Sequence, residues 1–310
     1  MVTTANTTSS SIHFEKFELI SEDNSFLQTL EIRLLKPIIG VETLTNIKLP
    51  PNLNQQQGLV LYGQAPVWLY ACLIDQLRNF PWLACFNIDL NEAVIIHSRV
   101  SQWQPGDCIP IASISYNKNP GIAILIGGPP NSGKSTLSNR LRQVLKAKYY
   151  ERLTHLHRAN WDGEGNHTFE NPDPILAKLL AEINKRKIHQ LPNAAELVPQ
   201  YFQYHAQAVN NIRSVADIAL IDVGGVPDEV KRPVVKQCTH SIIISRFPEE
   251  IANWQKLFGS LEPLAVIHSV QEACFDFNQT QPFLEMTANP WVKGCAISAV
   301  VIERILQVLE

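Results

Sequence analysis

Residues 121–136 read GIAILIGGPPNSGKST, an apolar run leading into Gly128-x-x-x-x-Gly133-Lys134-Ser135. No other feature restricts the fold of this chain as much. Glycine is needed at both ends because the backbone must curl until successive N–H groups face one phosphate, and a Cβ would block either the curl or the ligand. The loop from Gly128 through Asn131 and Gly133 to Thr136 is therefore expected to cradle phosphates. Lys134 reaches the β and γ phosphates, and the Ser135 hydroxyl ligates Mg²⁺. The β-branched-rich run Ile122 to Ile126 predicts a strand, and from Ser135 onward Leu137, Leu141 and Leu145 fall on one helical stripe. Strand, loop and helix thus stand in the order this chemistry requires.

Such a site needs a second acid at the end of a neighbouring buried strand, to hold Mg²⁺ through its water shell. Ile218-Ala-Leu-Ile221 ending in Asp222, followed by Val223-Gly224-Gly225, meets that need. Ser135 and Asp222 are the expected metal residues. Hydrolytic ATPases of the AAA class place a glutamate after this aspartate to activate water; here the position is Val223. Asp222-x-x-Gly225 is more like GTPase-type and small-molecule-kinase loops, in which the base comes from another segment. The candidate segment runs from Arg158 to His167, with Asp162 or Glu164 as base and Arg158 on phosphate, or equally a polar turn. His155 and His157 share one face of the strand expected before it, a spacing compatible with a metal but lacking a third ligand. Lys231, Arg232 and Lys236 form a basic helix face that reads either as a lid over the phosphates or as solvated surface.

With 310 residues, 45% of them hydrophobic and 18% charged, the chain has room for about two domains with proper cores. No apolar run approaches the roughly 18 residues that cross a bilayer, and MVTTANTTSSS lacks the regions of a secretory signal, so the expectation is a cytoplasmic protein without membrane contact. Residues 1–115 hold six Lys+Arg against ten Asp+Glu, and the remainder twenty against nineteen. Neither part has the basic balance that gripping long nucleic acid demands, so small nucleotides are the expected ligands. Six cysteines with no C-x-x-C pair argue against a zinc site or a disulfide framework and read as buried thiols.

Residues 13–19 and 28–35 alternate like two half-buried strands, 58–63 reads as a buried strand, and 65–80 as a helix. Residues 82–88 and 92–98 follow as strands. This is a small α+β domain spanning 1–115. A polar link at Tyr116 to Pro120 opens a second domain, 116–310, with helices expected at 175–185, 194–214, 248–258 and 297–309 and strands at 218–223, 241–245 and 264–268. Alternating strand and helix predicts a mostly parallel sheet covered on both faces, so the fold class is α/β.

The stretch Gly58-Leu-Val-Leu-Tyr-Gly63-Gln-Ala-Pro66-Val-Trp68-Leu69-Tyr70, continuing through Pro81-Trp82 and Phe86 to Val94-Ile-Ile-His97-Ser98 and Gly106-Asp107, resembles the CRISPR-associated ring-nuclease family of the Csx-three type. The whole chain is similar to members that carry a C-terminal P-loop domain labelled AAA. The resemblance implies a ferredoxin-like first domain that forms homo-oligomers and binds cyclic tetra-adenylate between subunits, with manganese-dependent cleavage of that second messenger. Family members commonly carry an Asp-Pro-Arg-Leu-Gly turn where this chain reads Asn87-Ile-Asp89-Leu-Asn91; they follow Trp-Leu with His or an aromatic and have further histidines along that helix, where this chain has Tyr70, Asp75 and Asn79. Binding survives these changes more easily than cutting. From the residues themselves, Trp68, Tyr70 and Asp75 on one helix with His97 on a nearby strand form a possible aromatic and polar site, with Asp89 as a replacement turn aspartate; Trp68 also fits a core position. The leading expectation is a ring nuclease coupled to a domain that binds ATP with Mg²⁺. A phosphotransferase with an N-terminal assembly module, or a sensor that binds without cutting, are the alternatives.

Overall fold

The computed structural model describes residues 11–36, 39–114, 119–149, 152–161, 173–185, 187–272, 274–289, 291 and 295–309. The chain divides into two compact units. The first comprises residues 1–87 and 91–118, and the second residues 119–310 together with 88–90.

In the first unit, β1 (Ile12–Ser21), β2 (Phe26–Leu34), β3 (Leu59–Tyr62), β4 (Trp82–Asn87), β5 (Glu92–Ser98) and β6 (Cys108–Ile114) close into a barrel in chain order. The β2–β3 and β3–β4 pairs are parallel, the others antiparallel. Parallel β3 and β4 need a crossover, and α1 (Val67–Leu77) supplies it. Leu69, Leu73 and Leu77 recur every fourth residue on α1 and bury against Leu30, Ile32, Leu59, Leu61 and Leu83. Gly63 ends β3 at φ +148°, where a Cβ would stand 2.3 Å from the Ile32 carbonyl oxygen, so only glycine lets the chain turn there.

This corrects the ferredoxin-like arrangement expected for the first unit. Strands and a helix are mixed as anticipated, but the sheet closes on itself. The cause is β6, which pairs with β5 on one edge and with β1 on the other, where a bulge at Ile20/Ser21 bends β1 toward it. Pro110 hides this strand from a sequence reading, since proline removes a ladder donor. Its neighbours Ile109, Ile111 and Ile114 nonetheless point inward.

The second unit is α/β. Its strands are β7 (Ile122–Gly127), β8 (Thr154–Ala159), β9 (Ile218–Val223), β10 (His240–Ser245), β11 (Glu262–Ser269), β12 (Cys274–Gln279) and β13 (Leu284–Asn289). They form one sheet in the order β12-β13-β11-β10-β7-β9-β8, parallel throughout except for the β12–β13 pair. The helices are α2 (Lys134–Lys148), α3 (Pro174–Asn184), α4 (Ala194–Val215), α5 (Arg232–Val235), α6 (Pro248–Phe258) and α7 (Ala299–Gln307). Ile124 and Ile126 pack with Leu137, Leu141 and Leu145 of α2 and Val301, Ile302 and Ile305 of α7. The next residue along β7, Gly127, lies against Trp254 and Phe258 of α6, where a Cβ would come within 2.6 Å of both rings. Helices therefore cover both faces, as the alternation of elements predicts. Edge strand β12 was not anticipated: CFDFNQ leaves Phe275 and Phe277 exposed and carries no buried apolar run to announce it.

Among the described residues no helix is long and apolar enough to cross a membrane. All six cysteines are free thiols. Only Cys238 is buried, which corrects the expectation that all of them are.

Candidate functional site

β7 lies inside the sheet, paired with β9 on one side and β10 on the other, so Ile126 is level with both Asp222 and Ile242. The chain leaves the sheet at Gly128, with φ +151°. A Cβ there would stand 1.8 Å from the Ile244 carbonyl oxygen, a clash with backbone that no rotamer relieves. Two further residues adopt left-handed backbone: Asn131 at φ +59°, which asparagine tolerates, and Gly133 at φ +96°. Gly133 also touches Trp291, whose Cβ would meet an added methyl at 2.7 Å. α2 begins immediately afterward with no side-chain cap on its N-terminal amides. Uncapped amides and the positive end of the helix dipole make this a place for an anion.

Lys134 is 9% exposed, and its Nζ donates to the Pro129 carbonyl at 3.0 Å, which holds the ammonium over the loop. Ser132 Oγ accepts from the Arg246 amide at 3.3 Å and ties the loop to the end of β10. Ser135 and Thr136 occupy the first turn of α2, half-buried. Asp222 is fully buried at the end of β9. Its Oδ2 accepts from Arg158 Nη1 at 3.1 Å, Arg158 being its register partner on β8. The structure thus brings together Gly128, Asn131, Gly133, Lys134, Ser135, Thr136, Arg158 and Asp222 at the C-terminal ends of adjacent parallel strands, where ligands of open α/β sheets bind. Arg158, expected on phosphate, is here the partner of Asp222. Ser135 and Asp222 offer the hard oxygen donors that suit Mg²⁺. Gly225 lies against the loop as well: a Cβ on it would come 2.9 Å from Pro130. Asp162 and Glu164, the proposed bases, lie outside the described residues.

Of the two strand histidines, His157 is 2.8 Å from His205 Nδ1 on α4, and burial pushes His205 down to about 3. Asp89, in the short segment 88–90 that groups with the second unit, places its carboxylate 3.2 Å from His157 Nδ1. His205 was invisible in the sequence because it is brought to His157 by the packing of α4 alone. Among the described residues no three His, Cys, Asp or Glu side chains are placed to hold a metal.

The candidates of the first unit do not converge. Tyr70 turns inward and donates to the Gly63 carbonyl at 2.7 Å, with burial pushing its phenol well above the ordinary range. Asp75 follows five residues later, about 140° around α1, and is exposed, 3.7 Å from Arg78. His97 on β5 lies 3.1 Å from the Arg78 carbonyl. Trp68 is half-buried against the core, in agreement with its reading as a packing residue. Tyr70 and Trp68 are thus committed to holding α1 on the barrel.

A glycine loop joining a parallel strand to a helix, with a buried aspartate ending the adjacent strand, defines the second unit as an α/β P-loop nucleotide-binding fold. In the barrel, residues 32–110 match the family model described as CRISPR-associated protein (Cas_csx3). The ATP-dependent kinase YFH7 of Kluyveromyces lactis is 44% identical over 45 residues, 14% of this chain; the chain spans 13% of that relative's length. Among solved structures, the septum site-determining protein MinD of Pyrococcus horikoshii, complexed with Mg-ADP, is 12% identical with a TM-score of 0.34, over 48% of this chain and 70% of that one. The kinase domain of the Escherichia coli tyrosine kinase ETK is 14% identical with a TM-score of 0.32, over 47% and 66%.

Proposed function

We propose that this is a CRISPR-associated protein whose second unit binds ATP with Mg²⁺ and whose first unit binds cyclic tetra-adenylate. The observation that carries the nucleotide half is the loop itself. Three left-handed backbone positions, an uncapped helix start and a buried lysine meet in one loop, the combination that binds phosphates. The amides of residues 131–136 and Lys134 would hold the phosphates, and Ser135 with Asp222 would hold the metal, which supplies charge neutralisation for the terminal phosphate. Asp222 must then share its carboxylate between Arg158 and the metal's water shell. The match of residues 32–110 supports the second-messenger half.

What the first unit does with the ring is a question for its own residues. In this reading it binds as a homo-oligomer and, with Mn²⁺, cleaves. Incubating the intact chain with labelled cyclic tetra-adenylate and Mn²⁺ should yield linear products; tight binding with no product would make it a sensor, and no binding would remove the assignment. One observation favours a second reading for the P-loop unit, phosphoryl transfer to an acceptor. Val223 stands where a hydrolytic glutamate would follow Asp222, and the short stretch shared with a kinase agrees with that. Transfer from labelled ATP to a small acceptor, against release of free phosphate, separates the two.

A further inference from the structure

The three cations expected on one basic helix face have separate fates. Lys236 is exposed, and Arg232 bridges Glu229 and the Leu257 carbonyl. Lys231 turns inward and is 5% exposed. Its Nζ donates to the Gly224 carbonyl at 2.9 Å and to the Val226 carbonyl, and stands 5.8 Å from the Phe202 ring centroid and 5.7 Å from that of Trp254. Burying an ammonium is costly unless strong partners compensate, and ring faces and carbonyl dipoles recover only part of its hydration. A lysine held in this way at a glycine loop needs a reason.

Lys134 supplies one, because it is held in the same manner, on the Pro129 carbonyl at 3.0 Å. The two loops these lysines brace touch each other, Gly225 against Pro130. Burial, helped by the nearby charge of Lys134 and opposed by Asp228, pushes Lys231 down to about 8. Two ammonium groups that feel each other across a pair of contacting loops both gain from one anion between them.

We propose that Lys231 is a second phosphate-directed lysine of the nucleotide site, pinning Gly224–Val226 and turning to the terminal phosphate of a bound nucleoside triphosphate, so that the site distinguishes tri- from diphosphate. This rests on the reading of the P-loop as a nucleotide site. The class of ligand is set by the arrangement: the Gly128–Lys134 loop accommodates the inner phosphates, and Lys231 adds positive charge at the end of β9, where Asp222 marks the metal side. The γ-phosphate, which ADP lacks, is the group this lysine would meet.

The test is calorimetric titration of the intact chain with ATP and with ADP, in Mg²⁺, for wild type, Lys231→Met and Lys231→Gln. Methionine keeps the shape between Phe202 and Trp254, and glutamine keeps a donor for the Gly224 carbonyl without the charge. Both variants should bind ATP about 30-fold more weakly while ADP affinity moves by no more than about two-fold; exposed Lys236→Gln should change neither. A wild-type ATP-to-ADP preference in Lys231→Gln would overturn the proposal while leaving the nucleotide site intact. Wild type binding neither nucleotide would overturn both. Hydrogen exchange of residues 222–232 in wild type gives a readout independent of variant folding. A non-hydrolysable triphosphate should alter protection at 224–226 relative to ADP, and equal exchange in the two states would overturn the proposal.

Discussion

Lys134→Ala is expected to weaken ATP binding by at least about 30-fold, because truncating one member of a buried charge pair costs on the order of 2–5 kcal/mol. Lys134 is 9% exposed and its ammonium lies on the Pro129 carbonyl inside the loop, so its charge is desolvated and already aimed at the space the phosphates would fill. A charge in that setting is screened far less than one in open solvent. Alanine leaves the α2 amides and their dipole in place, so residual binding from the helix start should persist and thermal stability should hardly change. Calorimetry with ATP against thermal unfolding of the same variant separates the two effects; a loss of both together would mean the lysine is structural.

Asp222→Ala should act in the opposite way and lower stability first. Asp222 is fully buried and Arg158 has 10% of its side chain exposed, so removing the carboxylate leaves a guanidinium short of its counter-charge in the sheet interior. Such a break costs about 3–5 kcal/mol. For a unit of this size that corresponds to a fall of roughly 10 °C in Tm. Replacing both residues, Asp222→Ala with Arg158→Met, should recover much of the loss, since an apolar pair is tolerated where a lone buried charge is not. The single-to-double comparison by thermal denaturation is the check. A double variant as unstable as Asp222→Ala would show that the ion pair is not the source of the effect. In neither variant should Mg²⁺ strengthen ATP binding, because both lack the metal-side carboxylate.

The P-loop and the Asp222 strand were legible because their chemistry leaves few alternatives. The spacing of Gly128 and Gly133 answers to backbone conformation, and four apolar residues before Asp222 answer to a strand buried on both faces. Helix α6 was readable to its end residues, since Pro248 starts it and Gly259 follows it. Barrel closure was not legible, because it turns on how Pro110 is accommodated in β6 and on one bulge in β1, neither of which has a hydrophobic period. Nor was the inward turn of Lys231: in sequence it sits beside Arg232 and Lys236, and the rings that enclose it come from α4 and α6. Tyr70 and Asp75 illustrate the same limit within one helix. Both have the right chemistry for a site, yet five residues of helical rotation put one against Gly63 and the other in solvent.

The most direct measurement of the central claim is a crystal structure of the intact chain with Mg²⁺ and a non-hydrolysable ATP analogue. Phosphate oxygens should lie within hydrogen-bond distance of the amides of residues 131–136 and of Lys134 Nζ, with the ion between Ser135 and Asp222. A nucleotide found elsewhere, with Lys134 still on the Pro129 carbonyl, would contradict it.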